Sequence, residues 1–130
     1  MDAQAVNGES LVLVVDDHRD QCEALARLLR LGGLSTTCAV GGAAALDHLA
    51  RRTPDLVLLD LMMPEIDGVE VLRRIRSDPR TAEVPVVVYS AACELDGRER
   101  AMRAGATDYW VKTAVDYRDL RHRVSAYLAH

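Results

Sequence analysis

Short apolar runs alternate with helix-forming segments along most of the chain. The strongest runs read LVLVV, LVLL and PVVVY. Continuous apolar runs of this length are typical of strands that are buried on both faces of a parallel sheet. Between them leucines recur at helical spacing, as Leu25, Leu28 and Leu29 do before Gly32-Gly33 ends the segment. The alternation therefore predicts one α/β domain, with a parallel sheet that is covered by helices on both faces.

Ten elements follow from this pattern. We predict strands at 11–15, 35–40, 56–59, 85–89 and 109–111, and helices at 20–31, 43–50, 69–75, 98–104 and 118–128. The fourth helix has a weak predicted start, because Gly97 lies where its first turn should form. We expect five parallel strands in the flavodoxin-like order 2-1-3-4-5, within a three-layer sandwich. Residues 11–130 form the predicted domain, and residues 1–10 a flexible tail.

The composition argues against several classes of partner and location. A net charge of −4 over 130 residues offers no basic face, so we expect no direct binding to nucleic acid. The longest apolar runs have five or six residues, too few to span a membrane, and the start MDAQAVNGES is unlike a signal peptide. The three cysteines lack a CxxC spacing, and we expect reduced thiols in a cytoplasmic protein.

Four of the five predicted strands are followed directly by a polar residue. Asp16 and Asp17 follow the first strand, Asp60 the third, Ser90 the fourth and Lys112 the last. Taken singly, a strand-end Asp or Ser usually caps the next turn, and a strand-end Lys usually reaches solvent. Taken together they should meet, because parallel strands present their carboxyl ends at one edge of the sheet, where ligands bind.

The expected charges of this edge point to a metal and a phosphoryl group. Asp16, Asp17 and Asp60 would repel one another, so each resists ionisation without a counter-charge. Mg²⁺ is held by one or two carboxylates, keeps waters and completes its shell with phosphate oxygens. Together with Lys112 it would neutralise the three aspartates. We therefore expect Mg²⁺ as the cofactor.

Four stretches also match a known family. The segments LVLVVDD, DLVLLDLMMPEIDGVEVLRRIR, PVVVYSA and AGATDYWVK closely resemble the response-regulator receiver domain of bacterial two-component signalling. The resemblance runs from about Leu11 to Leu128. It includes an acidic pair, a D-x-x-x-P-x-x-x-G segment, a strand-end hydroxyl followed by Ala, and a late lysine, all in the family's order.

The resemblance implies a role for each residue of the acidic edge. Asp60 would be the phosphoacceptor and also a metal ligand. Asp17 would bind Mg²⁺ directly, Asp16 would act through a water, and the backbone carbonyl of Met62 would be a further ligand. The Met62 side chain would border the site.

The same resemblance assigns the remaining residues. Ser90 and Lys112 would hold phosphoryl oxygens, and Ala91 and Ala92 would border the site. Tyr109, three residues before the lysine, would be the aromatic switch that moves together with Ser90. Phosphorylation would then change the surface formed by the fourth helix, the last strand and the last helix.

The function implied is that of a stand-alone receiver. It would accept a phosphoryl group on Asp60 from a histidine kinase or phosphotransfer protein, and its only catalysis would be its own phosphorylation and slow dephosphorylation. The output would pass to a downstream protein partner, with the chain as a monomer or a phosphorylation-dependent homodimer.

Two departures from the family pattern leave alternatives open. Thr113 stands where the family usually has proline in a cis bond. A cis Lys112–Thr113 bond would cost about 3–4 kcal/mol. A trans bond would reroute the backbone that leads into the last helix. Gly97 suggests a short or mobile fourth helix. A receiver-like module that binds proteins without phosphorylation is therefore the main alternative.

Two other protein families with similar features, one of phosphatases and one of electron carriers, match this sequence less well. A haloacid-dehalogenase-type phosphatase needs a second Asp two residues after its nucleophile, and Met62 stands there. A flavodoxin needs a hydroxyl-rich loop after the first strand, where this chain has DDHRDQ. We expect His18 in that loop to be a solvated side chain, although it could approach the metal, and Trp110 to be a packed strand residue.

Overall fold

The computed structural model describes residues 10–91 and 95–128, apart from the side chains of residues 95 and 96. Strands and helices alternate in the order expected. The strands are β1 (Leu11–Asp16), β2 (Ser35–Val40), β3 (Leu56–Leu59), β4 (Val86–Ser90) and β5 (Asp108–Val111). The helices are α1 (Arg19–Leu31), α2 (Gly42–Arg51), α3 (Gly68–Ser77), α4 (Leu95–Arg103) and α5 (Tyr117–Leu128). None of the helices in the described ranges has the length and apolar character needed to cross a bilayer.

The five strands form one parallel sheet in the order β2-β1-β3-β4-β5, which confirms the predicted fold class. In the register, Val14 lies opposite Leu58, and Leu58 lies opposite Val87. The central strands β1, β3 and β4 are buried at every position, as their continuous apolar runs predict. This order places the carboxyl ends of β1 and β3 side by side.

Side chains on the two faces of the sheet enter two separate clusters, because successive strand residues point to opposite faces. Leu13 and Val15 of β1 join the cluster that contains Leu72 of α3. Val12 and Val14 join the other cluster, to which α1 and α5 contribute residues such as Leu29 and Leu120. The result is a helix–sheet–helix sandwich of three layers.

Three element bounds differ from the prediction in ways that matter for the site. Asp16 and Ser90 are the last residues of β1 and β4 and do not lie beyond them. The fourth helix begins three residues earlier than predicted, since α4 begins at Leu95 and includes Gly97. A glycine costs a helix only about 1 kcal/mol, and the fully buried Ala101 anchors α4 against the sheet.

The expectation of reduced thiols is also corrected. Cys22 of α1 and Cys38 of β2 are joined as a disulfide, with their Cα atoms 5.9 Å apart. The two residues are sixteen positions apart in the sequence, and only the packing of α1 against β2 brings them together. Cys93 and Ala92 lie outside the described residues, as do residues 1–9 of the predicted tail.

Arg76 at the end of α3 connects three parts of the fold. Its guanidinium donates hydrogen bonds to the backbone oxygens of Gly105 (2.8 Å), Val84 (2.6 Å) and Ala82 (3.1 Å). A fourth contact, of 3.3 Å, reaches the Thr107 hydroxyl. The guanidinium thus joins α3 to the segment before β4 and to the turn between α4 and β5.

We predict that Arg76→Ala lowers the free energy of unfolding by about 2–4 kcal/mol, because several half-buried carbonyls lose a charged donor. Chemical denaturation would measure the loss. Arg73→Ala is the matched control, since that side chain is exposed on the same helix and makes only a 3.9 Å ion pair with Glu70. Its expected effect is below about 0.5 kcal/mol. Equal losses in the two variants would contradict the role of Arg76.

His48 on α2 gives a pH-dependent prediction. Its Nδ1 atom is buried and has no hydrogen-bond partner among the described residues. Burial lowers the pKa of His48, the charges of Arg51 and Arg52 lower it further, and Asp47 raises it. The folded protein therefore takes up the His48 proton at lower pH than the unfolded chain, so stability falls as the pH drops below the ordinary histidine pKa of about 6.5.

His48→Gln should flatten the fall in unfolding free energy between neutral pH and about pH 5. His122→Gln on the exposed face of α5 serves as the control. Denaturation midpoints measured over this pH range would show the smaller change. If the stability of His48→Gln fell with pH as steeply as that of the wild type, His48 would not be its cause.

Candidate functional site

The sheet order brings the predicted strand-end residues to one edge. Asp16 ends β1, Asp60 follows β3, Ser90 ends β4 and Lys112 follows β5. Asp60 is additionally held by its backbone N–H, which donates to the carbonyl of Val15 at 3.0 Å. The backbone at each of these residues is therefore held by the hydrogen bonds of the sheet or lies next to a residue that is.

Asp60 lies at the centre of this group and is only 6% exposed. Its Oδ1 accepts hydrogen bonds from the backbone N–H of Met62 (3.1 Å) and from the Ser90 hydroxyl (3.2 Å). Burial raises the pKa of the Asp60 carboxyl, the Met62 N–H and Lys112 lower it, Asp16 raises it and Ser90 lowers it. A bound cation would relieve the cost of ionising this carboxyl.

Lys112 bridges two of the aspartates. Its Nζ lies 3.0 Å from Asp16 Oδ2 and 3.6 Å from Asp60 Oδ2. The Lys112–Thr113 bond is trans. Lys112 is nevertheless held in place, because its backbone N–H donates to the Ser90 carbonyl at 2.9 Å. The substitution of the family's proline by Thr113 therefore leaves the lysine in the pocket.

Asp17 and His18 follow Asp16 in the loop between β1 and α1. Asp17 Oδ1 is buried and has no hydrogen-bond partner among the described residues. The imidazole Nδ1 of His18 lies 3.1 Å from this oxygen and 3.4 Å from Asp16 Oδ1. His18 is 62% exposed, as expected of a loop histidine, but its ring nitrogen faces the carboxylates. This orientation agrees with the alternative left open from the sequence, that His18 could approach the metal site.

The residues fit a divalent cation. An anionic oxygen that is buried, as Asp17 Oδ1 is, is costly unless a positive charge or a donor satisfies it, and a metal ion would do so. Two further carboxylates, Asp16 and Asp60, supply the hard oxygen ligands that Mg²⁺ prefers.

The loop after Asp60 is shaped by close packing of its backbone. A Cβ atom on Gly68 would lie 2.6 Å from the carbonyl oxygen of Asp60, so a larger residue would displace the loop. Asp67 caps α3 by accepting the Glu70 N–H at 2.9 Å. Met62 projects outward and is 62% exposed, which agrees with a position at the border of the site.

The predicted switch residue Tyr109 is 5% exposed and belongs to the same cluster as Ala101 of α4. The Arg98 guanidinium lies 5.9 Å from the centre of its ring. Trp110 is 5% exposed in the opposite cluster, which confirms it as a packed strand residue. Ala91 follows Ser90 and is exposed.

A cavity of about 470 Å³ adjoins Lys112 between α1 and the start of α5. Its lining includes Gln21, Tyr89, Tyr117 and the buried Val115. The Lys112 ammonium lies 5.6 Å from the centre of the Tyr89 ring. This cavity was not predicted from the sequence, in which the one pointer to it is that Tyr89 immediately precedes Ser90.

Comparison with known proteins agrees with this geometry. Residues 12–125 match the family described as the response regulator receiver domain. The transcriptional regulatory protein PrrA of Mycobacterium tuberculosis is 44% identical over 90% of this chain, which corresponds to 49% of PrrA. The response regulator MprA of Mycolicibacterium vanbaalenii is 43% identical over 78% of the chain and 43% of its own length. The chain thus spans about half the length of these relatives.

Solved structures show the same fold. The receiver domain of the Francisella response regulator 1452 superposes with a TM-score of 0.81 at 27% identity, over 92% of this chain and 96% of that one. The phosphorylated cyanobacterial phytochrome response regulator RcpA has a TM-score of 0.80 at 26% identity, over 94% and 96% of the two chains. The fold, the acidic edge and the family match agree, and this chain belongs to the response-regulator receiver family of two-component signalling.

Proposed function

We propose that this chain accepts a phosphoryl group on Asp60 from a histidine kinase or phosphotransfer protein. The observation that carries the proposal is the environment of Asp60. One oxygen, Oδ1, is engaged by Ser90 and the Met62 N–H, and the other, Oδ2, faces Lys112 at 3.6 Å. The carboxylate is thus oriented for attack at the exposed edge of a rigid sheet.

The chemistry follows from this orientation. An oxygen of Asp60 forms a bond to phosphorus while the bond between phosphorus and the donor's histidine nitrogen breaks, which leaves an acyl phosphate on Asp60. Because such transition states are loose, positioning and charge neutralisation supply most of the catalysis. Lys112 and the Ser90 hydroxyl would bind the oxygens of the transferred group.

The metal ligands in this proposal are the carboxylates of Asp17 and Asp60, Asp16 through a water, and the carbonyl of Met62. When bound, Mg²⁺ would neutralise charge on the phosphoryl oxygens. Without it, Lys112 faces two of the three carboxylates, those of Asp16 and Asp60.

The output in this proposal passes through Ser90 and Tyr109. Tyr109 packs with Ala101 of α4, so a movement of Tyr109 would alter how α4 lies on β5. The surface of α4, β5 and α5 would then contact a downstream protein in the cytoplasm, and not nucleic acid directly.

One observation favours the alternative, a protein-binding module that works without phosphorylation. Lys112 already pairs with Asp16 at 3.0 Å, which partly neutralises the pocket with no phosphoryl group present. The experiment below distinguishes the two functions.

We predict that incubation with Mg²⁺ and acetyl phosphate, or with a phosphorylated histidine kinase, adds one phosphoryl group, seen as a gain in intact mass. Asp60→Asn should abolish the gain. Asp47→Asn is the matched control, because the Asp47 side chain is 68% exposed on α2 and pairs with Arg51. This variant should be phosphorylated as the wild type is. Failure of the wild type with both donors would favour the binding module.

Lys112→Met should slow phosphorylation by about 10²–10³-fold, the usual loss when one preorganised charge is removed from a transition state. Lys112 contacts Asp16 and Asp60, so folding is checked by circular dichroism. Stopped-flow fluorescence of Trp110 with acetyl phosphate gives the rate. A folded variant that reacts as fast as the wild type would exclude the assigned role.

A further inference from the structure

An aromatic ring lies beside the ammonium group of Lys112, which is the only lysine of the chain. The centre of the Tyr89 ring is 5.6 Å from Lys112 Nζ. Tyr89 immediately precedes Ser90 in β4, and its side chain lies on the face of the sheet that α1 and α5 cover. We propose that Tyr89 is a positioning residue, which keeps the Lys112 ammonium at the pocket while its ionic partners change. This role rests on the proposed function, in which Lys112 binds the transferred group.

Lys112 needs such a contact because its charged partners are shared. The side chain has a flexible four-carbon stem and is 22% exposed, so its charged end has alternative positions in solvent. Its two anionic partners, Asp16 at 3.0 Å and Asp60 at 3.6 Å, are also assigned to the metal and the phosphoryl group. An incoming metal ion competes with the ammonium for these carboxylates. A neutral ring that the core holds in place keeps its contact with the ammonium.

The geometry of Tyr89 suits this role. Its side chain is 5% exposed, so the ring is fixed by the packing of the core. An ammonium within about 6 Å of a ring centre is attracted by the negative face of the ring, and the attraction grows when water is excluded. The ammonium of Lys112 lies over the ring and within this distance.

The hydroxyl of Tyr89 holds the turn that follows the lysine. It donates to the backbone carbonyl of Val115 at 3.4 Å, and Val115 is itself buried. The backbone N–H groups of Ala114 and Val115 both donate to the carbonyl of Val111, which closes the turn. One side chain of β4 thus contacts the end of the lysine with its ring and the turn beyond it with its hydroxyl.

Tyr89 remains a neutral donor in this arrangement. Burial raises the pKa of the Tyr89 hydroxyl, and the neighbouring Tyr117 and Asp116 raise it further. The phenol therefore keeps its proton at neutral pH.

Gln21 is a weaker candidate for the same role. Its Oε1 accepts a hydrogen bond from Lys112 Nζ at 3.5 Å, but Gln21 is exposed on the first turn of α1. Water competes for an exposed hydrogen bond of this length, and it does not reach the buried ring of Tyr89 in the same way. The positioning role therefore falls to Tyr89.

The contact is tested first by NMR, without a phosphoryl donor. Because Lys112 is the only lysine, isotope-labelled lysine gives a single set of signals. Protons above an aromatic ring are shifted upfield by its ring current, so the Cε protons of Lys112 should lie upfield of those of a solvated lysine. Tyr89→Leu should remove this shift, and Tyr89→Phe, which keeps the ring, should retain it.

Tyr127→Leu is the matched control. It removes another ring that packs on the same cluster, where it lies 5.9 Å from the Trp110 ring. This variant should leave the Lys112 signals in place. Lys112 signals that do not move in Tyr89→Leu, or that move equally in Tyr127→Leu, would overturn the proposal.

The rate of phosphorylation by acetyl phosphate with Mg²⁺, followed by intact mass, tests the role in the reaction. Tyr89→Leu should be slower than the wild type by about 5–30-fold, which corresponds to a cation–π contact that is partly or fully desolvated. Tyr89→Phe should restore the rate to within about threefold, because a phenyl ring retains the attractive face. Tyr127→Leu should react as the wild type does.

The Lys112→Met background separates positioning from a general loss of structure. Tyr89→Leu should cause no further slowing there, because Tyr89 acts through the lysine. Equal slowing in both backgrounds would overturn the proposal, and so would a Tyr89→Leu rate equal to that of the wild type. If the wild type takes up no phosphoryl group, the proposed function fails, and the NMR shift still decides whether Tyr89 holds the lysine.

A fluorinated ring separates loss of the contact from loss of packing. Phenylalanine with a fully fluorinated ring at position 89 nearly preserves the volume of Tyr89→Phe but removes the negative charge of the ring face. It should react more slowly than Tyr89→Phe. Equal rates in these two variants would overturn the proposal even where Tyr89→Leu does not fold.

Discussion

The crowding of three carboxylates against one lysine at the edge of the sheet is the constraint on which the rest of the site depends. The parallel order of β1, β3 and β5 fixes where Asp16, Asp60 and Lys112 emerge, and burial keeps water from screening their charges. A fold chosen only for stability would avoid such a group. The presence of this destabilising group beside a fully buried apolar core indicates that the edge of the sheet is a functional site.

In the proposed function, the same crowding would connect the metal, the phosphoryl group and the lysine into one system. Each ion or group that entered would change the charge felt by the others, since Asp16 contacts Lys112 and is also assigned to the metal. His18 also faces this group, with its ring nitrogen 3.1 Å from Asp17 Oδ1.

Much of this was predictable because it rests on local patterns. The apolar runs gave the strands and their order in the chain, and the strand-end positions of Asp60 and Lys112 gave the pocket. Features that depend on packing at a distance were not predictable. The Cys22–Cys38 disulfide, the contacts of Arg76 and the start of α4 arise from tertiary neighbours that no sequence spacing reveals. The direction of the His18 ring could only be left open from the sequence, for the same reason.

The two clusters on opposite faces of the sheet have a consequence for how a signal could leave the pocket. Tyr109 and Trp110 are adjacent in β5, yet the first packs with the α3 and α4 side and the second with the α1 and α5 side. The strand therefore separates the two hydrophobic clusters. A displacement of Tyr109 can reach the other cluster through the backbone of β5, which would carry it as strain from one face of the sheet to the other.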